Sequence, residues 1–187
     1  MQFTTALLAA SVAVAVSAAP TALENNYFGV IAIRSGSPIQ NAAFQASLNR
    51  LIVGAKSQNA TCDSFPASNS ATFYIKDGEL NLFSTDAPYQ KVFVDRSGMG
   101  QGIIGYVTGA QPLVRNGETK GWAVKDNALT FDGAGIQACP GGIDGSYGLW
   151  LAGVSRPGGS TEDCLGINTL VVNTETPDSC TYSQYQG

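Results

Sequence analysis

The apolar segments of this chain are short, and glycine, asparagine, aspartate or serine interrupts them every few residues. They are rich in β-branched and aromatic side chains, and none shows a convincing helical period. This pattern predicts an all-β fold of short strands joined by tight turns. Between residues 39 and 54 two interpretations stay open, a short helix over 42–48 or extended chain followed by a strand at Arg50–Val53. Further strands are predicted at 27–33, 91–95, 103–107, 148–151 and 167–172.

Two β-hairpins with similar sequences stand out from the remaining strands. The first joins residues 71–75 to 80–83 through Asp77-Gly78, a dipeptide that favours the positive φ angles of a tight hairpin turn. The second joins 122–124 to 129–131, about 50 residues further along the chain. We therefore expect a single compact antiparallel barrel or sandwich, and the repeated hairpin makes a β-trefoil one form that the barrel could take.

The amino-terminal segment has the features of a secretory signal peptide spanning residues 1–18. Its apolar run is shorter than the roughly 20 residues that a membrane-spanning helix needs, and it ends in small residues. We expect cleavage between Ala18 and Ala19, because cleavage one residue later would place Pro20 first in the mature chain. Residues 19–187 then form one secreted β domain, which is a normal domain length.

Four cysteines in a secreted chain are most simply explained by two disulfides. Three pairings are possible, and spacing alone does not decide between them. We favour Cys139 with Cys164, which closes a Gly- and Pro-rich unit, and Cys62 with Cys180, which ties the tail to the early part of the domain. A zinc site is not expected, because no two cysteines have the short spacing of zinc ligands and the chain contains 0 His.

The absence of histidine also limits catalysis. It removes the Ser-His-Asp and Cys-His mechanisms and the commonest general base. We therefore expect no catalytic residues and no enzyme activity. A hydrolase that uses two facing carboxylates is the alternative that stays open, since the chain has 14 Asp and Glu residues.

Charge and motifs argue against several classes of ligand. The net charge is −4 and no basic stripe is present, so we expect no nucleic-acid partner and no binding to membranes. Residues 100–105 fit the pattern G-x-G-x-x-G, but strand-like sequence follows them where a dinucleotide site needs a helix. We interpret them as a glycine-rich hairpin loop and expect no cofactor and no metal.

Sugars enter the analysis in two ways. Asn59-Ala60-Thr61 is an N-glycosylation sequon in a polar stretch, so Asn59 is the expected glycan site. Trp122 and Trp150 are candidates for stacking on a bound sugar, although both lie in strand-like segments where packing in the core is the usual role.

Several segments closely resemble the PhiA-type cell wall proteins of filamentous fungi, and together they cover nearly the whole chain after the signal peptide. The long block VDRSGMGQG is the most specific of them. The segments are FGVIAI at 28–33, SGS at 35–37, KSQNATCD at 56–63, ATFYI at 71–75, VDRSGMGQG at 94–102, GYVTGAQP at 105–112, ACP at 138–140 and CLGI at 164–167.

This resemblance implies a secreted or wall-bound protein needed for phialide and conidium development, from a family that includes allergens bound by IgE in sensitised hosts. It provides no catalytic residues to transfer. We therefore expect a non-enzymatic extracellular protein of the cell wall whose partners are wall polysaccharide or other wall proteins. The alternative from another class is a secreted, lectin-like carbohydrate-binding protein.

Overall fold

The computed structural model describes residues 26–86, 88–154 and 163–185. The expected signal peptide, with its cleavage site at Ala18 and Ala19, lies outside these residues. Across the described ranges, the regular structure consists of fifteen strands and one turn of 3₁₀ helix at Ile143–Gly145. The strands are β1 Phe28–Ile33, β2 Phe44–Ser47, β3 Arg50–Val53, β4 Thr61–Cys62, β5 Phe73–Lys76, β6 Glu79–Leu82, β7 Gln90–Asp95, β8 Ile103–Thr108, β9 Gly117–Glu118, β10 Trp122–Lys125, β11 Ala128–Phe131, β12 Ile136–Pro140, β13 Tyr147–Leu151, β14 Leu165–Asn173 and β15 Cys180–Thr181.

The strands close into a nine-stranded antiparallel barrel, which confirms the all-β prediction and decides for a barrel over a sandwich. Around the ring the order is β3, β8, β7, β6, β5, β1, β14, β12 and β13. The pairing of β13 with β3 closes the ring. Two further strands attach to the ring, β2 to β3 and β9 to β7. Among the described residues, no helix is long and apolar enough to cross a bilayer.

Alternation along the strands places one set of side chains inside the barrel. In β1, for example, Phe28, Val30 and Ala32 are buried while the residues between them are partly exposed, as expected for a strand with one solvated face. The ambiguous segment 42–48 contains the strand β2, so the extended interpretation was right and the helical one was wrong. Pairing with β3 along all four residues stabilises the extended form.

The two similar hairpins form as predicted but occupy different places. Asp77 and Gly78 have φ angles of 53° and 78° in the β5–β6 turn, and this hairpin is part of the barrel wall. The β10–β11 hairpin turns at Asp126 and Asn127, which also have positive φ, and forms a separate two-stranded sheet. The glycine-rich segment 100–105 forms the β7–β8 connection and the start of β8, as expected for a hairpin loop.

Both disulfides have the pairing that we favoured. Cys62 is bonded to Cys180, and Cys139 is bonded to Cys164. The first joins the two short strands β4 and β15, which pair residue by residue at these cysteines. Asp178 lies close to the Cys62 and Cys180 sulfurs, but a disulfide sulfur is not a thiolate and does not ligate a metal.

The carboxy-terminal tail, defined here as residues 178–185, packs into the barrel and does not trail from it. Tyr182 is 1 % exposed, and its hydroxyl accepts a hydrogen bond from the Thr72 backbone N–H. The buried Gln90 side chain bonds both backbone groups of Tyr182, as a neighbouring strand would. Ser183 accepts a hydrogen bond from the Tyr106 hydroxyl through its carbonyl oxygen. Tyr182 is therefore part of the core and anchors the tail there.

Candidate functional site

A groove on the outside of the barrel contains one of the two predicted sugar-contact residues. Its floor lies where β13 pairs with β3, with Gly148 opposite Ile52. Because Gly148 has no side chain, it leaves a depression on this face of the sheet, between residues with larger side chains. The loop at 140–143 forms one wall and Trp150 forms another, enclosing about 190 Å³. Trp150 is half-buried, so part of its indole faces solvent.

Arg50 lies beside this aromatic ring and completes the groove. Its guanidinium carbon is 5.7 Å from the Trp150 ring centroid, within the range of a cation–π contact. Partial burial lowers the pKa of Arg50, but an arginine stays protonated at physiological pH. Within the described part of the chain, the ion pairs of arginine involve Arg96 and not Arg50. The groove thus combines an aromatic surface with a cation that no described carboxylate neutralises.

The sequence analysis did not single out Arg50. The signal available was the pattern of β3, whose first residue is charged while the next three are apolar. That pattern places Arg50 at a strand end but does not reveal the distant strand β13 beside it. The pairing of β3 with β13 joins segments almost a hundred residues apart, and only the closed barrel brings them together.

The structure contradicts the prediction that Trp122 contacts a bound sugar. Trp122 is 2 % exposed and packs edge-on against Phe131, with the ring centroids 5.1 Å apart. A sugar cannot stack on a ring that is almost entirely buried in the core. Trp122 is therefore a core residue, which is the usual role of a large aromatic side chain in a strand.

Arg96 forms ion pairs with two carboxylates. Their protonation bears on the alternative of a hydrolase that uses two facing carboxylates. The Arg96 guanidinium contacts Glu118 and lies 3.0 Å from an Asp132 carboxylate oxygen. The hydrogen bond from Arg96 lowers the pKa of Glu118. A glycosidase acid needs a raised pKa so that it carries a proton to donate. Glu118, whose ionised form Arg96 stabilises, is therefore poorly suited to act as a general acid, and Arg96, Glu118 and Asp132 form a surface ion-pair network.

Asn59 lies on the surface, where an oligosaccharyltransferase could reach it. Both Asn59 and Thr61 are exposed, and Asn59 has a φ of 51° in the loop before β4. We expect the secreted protein to carry a glycan there. Peptide-N-glycosidase treatment should lower the mass of the native protein and convert Asn59 to Asp in the tryptic peptide. Asn59→Gln should abolish the change, and an unmodified Asn59 in wild-type protein would refute the prediction.

Comparison with known proteins identifies the family. The profile of the family described as "PhiA-like secreted protein" matches residues 28–183, which includes the barrel, both disulfides and most of the tail. No solved structure matches the chain.

Curated relatives match along nearly their whole length. "Cell wall protein phiA" of Aspergillus fumigatus is 50 % identical, covering 98 % of this chain and 100 % of the relative. The protein of the same name from Emericella nidulans is 48 % identical, with the same coverage of both chains. The one from Aspergillus niger is 45 % identical, covering 98 % of this chain and 99 % of the relative. The resemblance found in the sequence is thereby confirmed: the chain belongs to the PhiA-like secreted protein family.

Proposed function

We propose that this chain is a non-enzymatic structural protein of the fungal cell wall that serves in asexual sporulation, during phialide and conidium development. The observation that carries the proposal is membership of a secreted family whose full-length relatives are named cell wall proteins. Secretion and a place in the cell wall follow from that membership. The developmental role and the lack of catalysis go further and are proposed here.

The architecture supports a long-lived extracellular component. The barrel closes on itself, so the strands of its ring present no open edge to neighbouring chains. Two disulfides and the buried tail oppose unfolding where no cytosolic chaperone is present. Such a molecule keeps its shape through wall growth and drying without needing to change conformation.

We propose that its partners are wall polysaccharide or other wall proteins, held by contacts on the outer face of the barrel. The same exposed surface is what IgE of sensitised hosts would recognise. An immunoblot of native and reduced protein with sensitised serum tests the IgE proposal, because loss of the folded surface should weaken binding.

Fractionation of the producing fungus tests the proposed function. We expect the protein in the pool that glucanase releases from washed walls, and we expect a deletion strain to form fewer normal phialides and conidia. A strain complemented with the wild-type chain is the control and should recover both. Protein found in the medium alone, together with normal conidiation of the deletion strain, would refute the proposal.

A second candidate function is lectin-like sugar binding. The half-buried indole of Trp150 favours it, because this ring is open to a ligand while that of Trp122 is not. A glycan array probed with purified protein tests this candidate, and no binding to any glycan would remove it.

A further inference from the structure

We propose that the groove between Trp150 and Arg50 binds a sugar unit that carries an anionic group, either a carboxylate or a phosphate. This inference deepens the lectin-like candidate function and rests on it. It names the chemical class of the ligand and the residues that would select it.

The size of the groove suits one sugar unit of a longer polymer. Its volume of about 190 Å³ is smaller than the roughly 300–1,000 Å³ of pockets that enclose drug-sized molecules. It corresponds to the liquid volume of roughly six waters. The groove lies on the outer face of the barrel and is open to solvent, so a sugar unit can enter it from outside.

The floor of the groove depends on Gly148. A Cβ atom built on this residue would lie 3.4 Å from the Trp150 indole nitrogen, an ordinary van der Waals contact. The indole nitrogen therefore lies beside the floor, where its N–H could donate a hydrogen bond to a ligand oxygen. A small side chain at position 148 would occupy this space without forcing the backbone to move, so the site can be blocked selectively.

The charge of the groove selects the ligand. Arg50 is the only charged side chain among the described residues that line it, in a chain whose net charge is −4. Partial burial disfavours the charged form of Arg50, which is why its pKa is lowered. A guanidinium that has lost part of its water gains most from an anion, because a charge-assisted hydrogen bond is about twice as strong as a neutral one. A neutral sugar could contact Trp150 but would offer Arg50 no counter-charge beyond the ring that it already contacts.

The experiment is a titration of ¹⁵N-labelled, disulfide-bonded protein followed by nuclear magnetic resonance. The chain has 2 Trp, so its spectrum contains two indole N–H signals, and the buried Trp122 provides an internal reference. Glucuronate, glucose 6-phosphate and glucose are the probes. We expect saturable movement of the Trp150 signal with one or both anionic sugars, little movement with glucose, and a fixed Trp122 signal. The two anionic probes distinguish a carboxylate ligand from a phosphate ligand.

Two substitutions assign the binding to the groove. Arg50→Gln should weaken binding of the anionic sugar about 10-fold or more, which is the loss expected for hydrogen bonds to a charged group. Gly148→Ala should weaken binding by placing a methyl group on the floor. The matched controls are Arg34→Gln, whose guanidinium bonds the Gly166 carbonyl, and Gly166→Ala, where a Cβ meets open space. Both controls should bind like wild type, and the Trp122 signal reports whether each variant remains folded.

Three outcomes would overturn the inference. They are no movement of the Trp150 signal with either anionic sugar, equal movement with glucose, and unchanged binding by Arg50→Gln. Equal binding of glucose would leave the lectin-like function standing while removing the selectivity for anions. Retention in the cell wall is measured independently by fractionation, so its failure would not be confused with failure of the groove.

Discussion

Replacing Cys62 and Cys180 together by alanine is expected to lower the free energy of unfolding by about 5 kcal/mol. The bond joins residues 118 positions apart, so cutting it releases a long loop in the unfolded chain. In the chain-entropy account the gain in freedom of the unfolded state grows with the logarithm of loop length. A loss of this size is a large share of the roughly 5–15 kcal/mol that stabilises a typical domain.

The second disulfide provides the matched control. Cys139 and Cys164 are only 25 positions apart, and the same replacement there should cost about 3.5 kcal/mol. Denaturant unfolding of both double variants and wild type, with intact mass confirming the remaining bond, measures the two values. A larger cost for the short loop than for the long one would show that loop entropy does not govern these bonds.

Tyr182→Ala is expected to cost about 4 kcal/mol, the range found when a buried aromatic side chain is truncated. Tyr182 is 1 % exposed, so the substitution leaves a cavity in the core. It also removes the hydroxyl that accepts the hydrogen bond of the Thr72 backbone N–H. Thermal or denaturant unfolding of the secreted variant measures the loss.

Two companion substitutions separate the contributions of the ring and the hydroxyl. Tyr182→Phe keeps the ring and should cost about 1–3 kcal/mol, because the buried Thr72 N–H loses its acceptor. Tyr185→Ala, at a side chain that is 72 % exposed in the same tail, should change stability by less than about 0.5 kcal/mol. If Tyr185→Ala proved as harmful as Tyr182→Ala, the tail would be held by its exposed end and not by its buried ring.

The strands and turns were largely predictable because their signals are local. Asp77 and Gly78 mark a tight turn through the φ angles they tolerate, and the buried residues of β1 alternate with a period that one segment displays by itself. The cysteine pairs were chosen correctly because loop size and chain position left one pairing more plausible.

The two tryptophans show where local signals end. In β13, Leu149 and Leu151 are both buried, so alternation alone turns Trp150 outward. Trp122 begins a strand whose next three residues are all exposed, and no alternation identifies its side. Its burial depends on packing with distant parts of the chain. The same holds for Gln90, a polar residue whose burial depends on the backbone of Tyr182, 92 positions away.

The groove could not be predicted because two distant parts of the chain form it. The loop at 140–143 and Trp150 belong to the β12–β13 hairpin, and Arg50 becomes their neighbour only when β3 pairs with β13. Nothing in one strand reports which other strand will lie beside it. Finding the candidate site therefore required the structure of the closed ring, whereas recognising the family required only the sequence.

The pairing of β1 with β14 has a consequence for biogenesis. Along its whole length the first strand of the ring pairs with the last, with Phe28 opposite Asn173. At ordinary elongation rates the ribosome synthesises Asn173 on the order of 10 s after Phe28. During that interval the emerging β1 has no partner along that side, and its apolar residues stay exposed in the lumen of the secretory pathway. The ring thus cannot close until almost all of the polypeptide has been translocated, although local hairpins such as β5–β6 need no late partner.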